Sequence, residues 1–224
     1  GQVSHAVYFL QVLALWALAR RRDRLAAAAL ALATLKPQMS LFLVPFLLLW
    51  GLAERRRRFV AAFALTFVAL LALSFVLLPD WPAGFYAQLT LYPSYIEVST
   101  PAWVIASYLL DLGRGAELAL NALGLAALLW AWYMAIIRHR ERFWWTVMLT
   151  LTITHLIGLR TATPHFVVFM IPLVFWLREL AQRRQSVLMG VLLLALFALP
   201  WLHFLFTIGT DRFEHPTTFL SLPL

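Results

Sequence analysis

Arg20-Arg21-Arg22-Asp23-Arg24, Leu35-Lys36-Pro37-Gln38 and Arg55-Arg56-Arg57-Arg58 punctuate one apolar stretch, and the path of the chain between the two arginine clusters decides the fold. Lys and Arg are retained on the cytoplasmic side of membrane spans, so both clusters are read as cytoplasmic turns. The segment between Arg24 and Arg55 then enters and leaves on the same side and is not one straight span. Pro37 lacks an N–H and disfavours helix in Lys36, which puts a break between two arms, 25–35 and 39–52. Arms of roughly 16 to 21 Å reach well into a hydrocarbon core about 30 Å thick without comfortably crossing it. The reading is a hairpin of two short helices with Lys36 to Gln38 at its apex. A single kinked span is the alternative, and it strands one arginine cluster on the wrong side.

Composition agrees with lipid as the solvent. Of 224 residues, 63% are hydrophobic and 12% charged, whereas soluble domains carry roughly 25% charged residues. A net charge of +8 with a pI near 10.8 raises the question of nucleic acid. The basic residues, however, stand in short clusters between apolar stretches, so no nucleic-acid partner is expected. The chain has no cysteine, which rules out disulfides, thiolate zinc sites and a cysteine nucleophile within it. It opens on Gly1 and runs straight into an apolar span with no charged n-region or cleavage site. The expectation is therefore an N-terminally truncated chain without a signal peptide.

Apolar segments fall at about 6–19, 25–35, 39–52, 59–78, 116–137, 143–158, 166–181 and 185–208. Two further basic clusters, Arg138 with Arg140 and Arg142, and Arg178 with Arg183 and Arg184, follow the fifth and seventh segments. The four clusters together hold every Lys and Arg except Lys36, Arg114, Arg160 and Arg212. With all four inside, 6–19 runs inward, 59–78 outward, 116–137 inward, 143–158 outward, 166–181 inward and 185–208 outward. The expected fold is thus all-α: a polytopic transmembrane helical bundle of about six full spans plus a short helical hairpin, forming one transmembrane domain over 1–224. Outside lie Gln2, His5, the loop 79–115, the turn from Arg160 to His165 and the tail from Gly209. Trp81, Phe85, Tyr86, Tyr92, Tyr95 and Trp103 suit that loop to interfacial helices near 82–91 and 101–110.

Few residues in such a chain suggest chemistry. Lys36 is the sole lysine, and an ammonium at membrane depth costs about 2.5 to 3.5 kcal/mol unless it meets water, an anion or a partner. At a helix break facing a cavity it suits a phosphate or pyrophosphate, helped by backbone N–H groups of the second arm. A lysine that merely snorkels to the interface is the plainer alternative. In Arg160-Thr161-Ala162-Thr163-Pro164-His165, Thr163 can cap a helix that begins at Pro164, leaving Arg160 and His165 beside a helix N-terminus that favours anions; simple capping explains the same residues. His155 is expected to hydrogen-bond between helices. No ligand-spaced histidine pair, Ser-His-Asp set or Walker signature stands out, and no carboxylate is singled out as a base.

The opening Gly1-Gln2-Val3-Ser4, an inward span, a basic turn and then Lys36-Pro37-Gln38 in a broken apolar segment resemble the central motifs of glycosyltransferase family 87. These are multispanning proteins of the GT-C superfamily, such as polyprenyl-phosphate-mannose-dependent mannosyltransferases. Ser99-Thr100-Pro101-Ala102-Trp103 is similar to the family's loop motif before its C-terminal helices, and Arg160 to His165 to its Ser-Pro…His turn, with Thr163 in place of Ser. The resemblance implies a GT-C-like bundle that moves a mannose-like sugar from a polyprenyl-phosphate donor to an extracytoplasmic glycan or glycolipid acceptor with inversion. The setting it implies is a bacterial cytoplasmic membrane, with membrane lipids as surroundings. No cofactor beyond the lipid-linked donor is implied, and metal dependence stays open. By the resemblance Lys36, Gln38 and Arg160 bind the donor phosphate, while Gln2, His5 and His165 line the external cavity. The catalytic acid of GT-C enzymes sits in a first external loop, expected upstream of Gly1, so no catalytic residue is assigned here. A lipid or solute transporter or flippase, and a non-catalytic subunit of a membrane complex, are the competing readings.

Overall fold

The computed structural model describes residues 2–95, 99–157, 163–209 and 215–220, without the side chains of Gln2, residues 92–95 and Thr163. These residues are mostly helical, with no β-strand among them, and the chain divides into two compact units, Gly1–Val98 and Ser99–Leu224.

The first unit holds α1 (Gln2–Ala19), α2 (Asp23–Ala33), the single turn α3 (Pro37–Ser40), α4 (Leu43–Ala53), α5 (Arg57–Leu77) and α6 (Trp81–Tyr95). Helix α2 packs against both α1 and α5. Its sequence explains why. In Asp23-Arg24-Leu25-Ala26-Ala27-Ala28-Ala29-Leu30 the alanines let backbones approach closely, the device that membrane helices use in place of a hydrophobic driving force. Ala26, Ala27, Ala29, Leu30, Ala31 and Ala33 are all buried. An 11-residue helix of about 16 Å, wrapped by protein instead of lipid, is the first arm of the hairpin. The second arm, α4, is also 11 residues long and buries Leu43, Phe46 and Leu47.

The two ends of this hairpin meet. Arg56, just before α5, forms an ion pair with Asp23 at the first position of α2, with both side chains about four-fifths buried. The chain that leaves at Asp23 therefore returns to the same end at Arg56, as the same-side arginine argument requires and as a single kinked span does not allow. The Arg56 guanidinium also lies 5.0 Å from the Trp50 ring centroid, and Arg20 and Arg22 lie over Trp16 at 5.7 and 5.2 Å. Each cation–π contact adds attraction at the turn.

Three of the basic turns share one backbone design. Helices α1 and α4, and the helix Met170–Gln182 of the second unit, are each followed by three residues, Arg20-Arg21-Arg22, Glu54-Arg55-Arg56 and Arg183-Arg184-Gln185, and the next helix starts immediately. The middle arginine is left-handed each time, with φ of 56°, 55° and 55° at Arg21, Arg55 and Arg184. The carbonyls freed at each helix end are taken by a crossed pair of N–H bonds: Arg21 to Leu18 (3.1 Å) and Arg22 to Ala17 (2.8 Å), Arg55 to Leu52 (3.1 Å) and Arg56 to Gly51 (2.8 Å), Arg184 to Ala181 (3.1 Å) and Gln185 to Leu180 (3.0 Å). This is the Schellman closure, usually built on glycine. Here arginine occupies the left-handed position although a side chain there costs roughly 1–2 kcal/mol, consistent with charge being needed at these turns more than conformational ease.

The second unit holds α7 (Pro101–Trp103), which continues as a π-helix over Val104–Leu109; α8 (Gly113–Tyr133), which continues as a π-turn over Met134–Arg138; a 3-10 turn Arg140–Arg142; α9 (Phe143–Ile157); a 3-10 helix Thr163–Phe169 leading into α10 (Met170–Gln182); α11 (Ser186–Thr207); and a 3-10 turn Pro216–Leu220. Helices α8 and α9 pack on each other, with the Trp132 indole N–H donating to Thr150 Oγ1 at 2.9 Å. At Gly124 the helices come so close that a Cβ would sit 2.9 Å from Ile157. The tail folds back onto the π-helix through Tyr108 Oη to His215 Nε2 (3.3 Å), and Thr217 Oγ1 bonds both His215 Nδ1 (2.6 Å) and His203 Nε2 (2.8 Å).

Among the described residues, Arg57–Leu77, Gly113–Arg138, Pro164–Gln182 and Ser186–Thr207 are long and apolar enough to cross a membrane. Exposed Leu65, Val76, Phe197, Trp201 and Phe206 lie on two of them, and an all-apolar outer surface of this kind belongs in lipid. Two of the six expected crossings are shorter: α1 has 18 residues and α9 has 15. Both loop segments expected to be helical are so. Helix α6 runs longer than 82–91, and the second helix is mostly π-helical.

Candidate functional site

The break that ends α2 creates the most polar interior of the first unit. Before Pro37, Lys36 is extended (φ −126°, ψ 80°), and Pro37 fits the first position of α3, where no N–H is needed. Interrupting a helix frees backbone carbonyls that lipid cannot satisfy. Side chains take over that role here. Thr34 Oγ1 donates to Ala31 O (2.6 Å), Ser40 Oγ to Ala33 O (3.2 Å), and Gln11 Nε2 to Met39 O (2.9 Å) and to Ser40 Oγ (3.0 Å).

Lys36 points back along α1. Its ammonium donates to Ser4 Oγ at 2.6 Å, while the side chain stays half-buried and Ser4 is fully buried. Ser4, Val7 and Gln11 are buried on one stripe of α1, as a spacing of three, four and seven residues dictates. Seven residues amount to about 10 Å of rise. The ammonium thus lies near the start of α1, at the opposite end from Arg20–Arg22, and Ser40 lies some 10 Å further along the helix. Gln11 Oε1 is buried with no hydrogen-bond partner among the described residues. A neutral acceptor left bare at this depth is expensive.

The expected site residues distribute as follows. Lys36 and Gln38 flank Pro37, and Gln38 is half-buried on α3. His5 is exposed, turned about 100° around α1 from the Ser4 stripe. Gln2 opens α1, but its side chain lies outside the described residues, as does all of Arg160. His165 belongs to the second unit, where it is buried in the 3-10 helix that leads into α10. Pro164 does stand at the start of helical structure; the proposed Thr163 cap depends on a side chain outside the described residues. His155 differs from expectation: Nδ1–H donates to Leu151 O of its own helix (3.1 Å) instead of bridging helices, and Nε2 is buried without a partner among the described residues. Its ring stacks edge-on to Phe169 at 5.5 Å. Among the described residues no three His, Cys, Asp or Glu side chains gather as a metal site.

Sequence reasoning missed Ser4, Gln11 and Ser40. The signal was present in the seven-residue spacing of Ser4 and Gln11, which selects one face of α1 and excludes His5.

The family description "Glycosyltransferase family 87" matches residues 1–157, a range that contains the whole Lys36 hairpin and ends at the last residue of α9. No curated protein and no solved structure matches the chain.

Proposed function

Because the chain belongs to glycosyltransferase family 87 and is a membrane glycosyltransferase, we propose that its donor is a polyprenyl phosphate carrying a mannose-like sugar and its acceptor an extracytoplasmic glycan or glycolipid. In such a transfer the acceptor hydroxyl oxygen bonds to the anomeric carbon as the carbon–oxygen bond to phosphate breaks. The hydroxyl proton goes to a base, and the bonding electrons stay on the departing polyprenyl phosphate. Negative charge grows on that phosphate, so a cation fixed beside it lowers the barrier.

Lys36 has this role, and the observation that carries it is its hydrogen bond to Ser4 at 2.6 Å. The buried hydroxyl fixes the ammonium at the hairpin apex and uses one of three N–H donors, leaving two for phosphate oxygens among the described residues. Gln38, which follows Pro37 on the same apex, adds to the phosphate contacts. The Asp23–Arg56 pair supports this topology by joining the hairpin's two ends. With the arginine turns inside, α1 runs inward and the apex opens outside.

Full-length protein assayed with a radiolabelled polyprenyl-phosphate sugar tests the role. Lys36→Ala should lower transfer about 100-fold, the scale of losing one preorganised charge-stabilising donor, and Lys36→Arg should keep part of it. Unchanged turnover in Lys36→Ala removes the phosphate role. Uptake of the lipid-linked sugar into liposomes without transfer favours a transporter instead.

A further inference from the structure

The second unit contains a polar cleft that the phosphate chemistry above does not use. Trp103 and Ser107 lie four residues apart on the α7 π-helical segment, and Arg114, Glu117 and Leu118 lie at i, i+3 and i+4 on one face of α8. The chain turns between these two elements at Asp111, whose φ of 51° is left-handed, so the two faces converge on a cavity of about 420 Å³. That volume is within the roughly 300–1,000 Å³ of small-ligand clefts. The cavity sits at the start of α8, one helix length from Arg138, Arg140 and Arg142.

Its chemistry is specific. Glu117 is 8% exposed and shares its face of α8 with Arg114, so a carboxylate and a guanidinium both border the cleft. Trp103 is pinned: Thr100 Oγ1 accepts its backbone N–H (3.2 Å), Tyr108 stacks on its ring at 6.3 Å, and it packs on Val104, Phe166 and Phe219. A rigid indole wall therefore faces a carboxylate, a guanidinium and a hydroxyl. The charges of Arg114 and Glu117 cancel, so the cleft favours a neutral polyol over an anion. A pyranose ring offers what these groups complement: C–H faces for the indole, whose face carries the negative part of the ring quadrupole, and hydroxyls that donate to Glu117 and accept from Arg114.

We propose that Trp103, Ser107, Arg114 and Glu117 form a saccharide subsite that holds a neutral pyranose ring. The choice of sugar rests on the glycosyltransferase reading; the cleft and its polarity do not. The ring could belong to the donor or the acceptor, and both present the same chemistry.

Saturation-transfer NMR on the purified chain, in a detergent without sugar headgroups, tests the proposal with methyl α-D-mannopyranoside and methyl α-D-glucopyranoside. Saturation should reach the pyranoside C–H protons, fall at least fivefold in Trp103→Ala and Glu117→Ala, and largely persist in Trp103→Phe. Arg114 is exposed, so Arg114→Gln keeps the test open if Glu117→Ala does not fold, and it should weaken the transfer at least threefold. Unchanged saturation in Trp103→Ala and Arg114→Gln overturns the proposal. So does ³¹P broadening of inorganic phosphate that Arg114→Gln abolishes and Trp103→Ala leaves intact. In full-length turnover, a raised KM for acceptor in Trp103→Ala assigns the ring to the acceptor, and a raised KM for donor assigns it to the donor; neither KM changing counts against the subsite. Because pyranoside binding is read without donor or turnover, it can succeed while the transfer reading fails, and the reverse.

Discussion

An ammonium held by a fully buried serine is a positioned charge, and Ser4 is what makes Lys36 more than a snorkelling side chain. Ser4→Ala leaves the charge in place and removes its anchor. A hydrogen bond to a charged group is worth about 1.5–3 kcal/mol, so we expect turnover to fall roughly tenfold while Lys36→Ala falls further, measured as transfer by full-length protein. Equal losses in the two variants would mean that the hydroxyl itself touches the substrate. Gln11→Leu removes the ties to Met39 O and Ser40 Oγ and should lower the melting temperature in detergent, by about 1–3 kcal/mol of stability for the carbonyl left bare. Lys36 was legible from sequence because it is the only lysine, and Pro37 told where the helix breaks. His5 was assigned to the cavity by its place in the chain, and helical phase turned it outward. The stripe of Ser4 and Gln11 was readable only by following that phase, and Gln11's role depends on α3, a turn too short for any periodicity to reveal.

At the scale of elements, the turns do more than connect. Arg184 adopts a left-handed backbone that glycine accepts freely and β-branched residues do not. Arg184→Val should cost about 2 kcal/mol in thermal unfolding, whereas Arg184→Gly should hold stability within about 1 kcal/mol; equal effects would remove the left-handed assignment. The Asp23–Arg56 pair closes the hairpin, and a double-mutant cycle with Asp23→Asn and Arg56→Gln should show a coupling of about 1–2 kcal/mol. Arginine clustering at these turns was plain in the sequence, because charge is what the membrane sorts. The shared Schellman backbone was not, since nothing in Arg-Arg-Arg signals a left-handed residue. The π-helix at Val104–Leu109 was hidden for a similar reason: its residues read equally well as α-helix.

Across the whole molecule, the four long apolar helices and the absence of cysteine suit the chain to topology measurement by single introduced thiols. Helical membrane architecture was fully readable, since lipid allows few alternatives. The count of crossings was harder, because α1 and α9, at 18 and 15 residues, stand at or below the short end of a span, while α2 and α4 are apolar but only 11 residues long. What distinguishes a buried arm from a lipid-facing helix is alanine content and packing, as in α2, and hydropathy does not separate the two. The account stands on the hairpin from Asp23 to Arg56 turning its lysine outward. Single cysteines at exposed Arg24, Leu35 and Arg57 in intact cells, probed with a membrane-impermeant maleimide, measure this directly. We predict labelling of Leu35→Cys from outside, and of Arg24→Cys and Arg57→Cys only after permeabilisation; labelling that places Arg24 and Arg57 on opposite sides would contradict it.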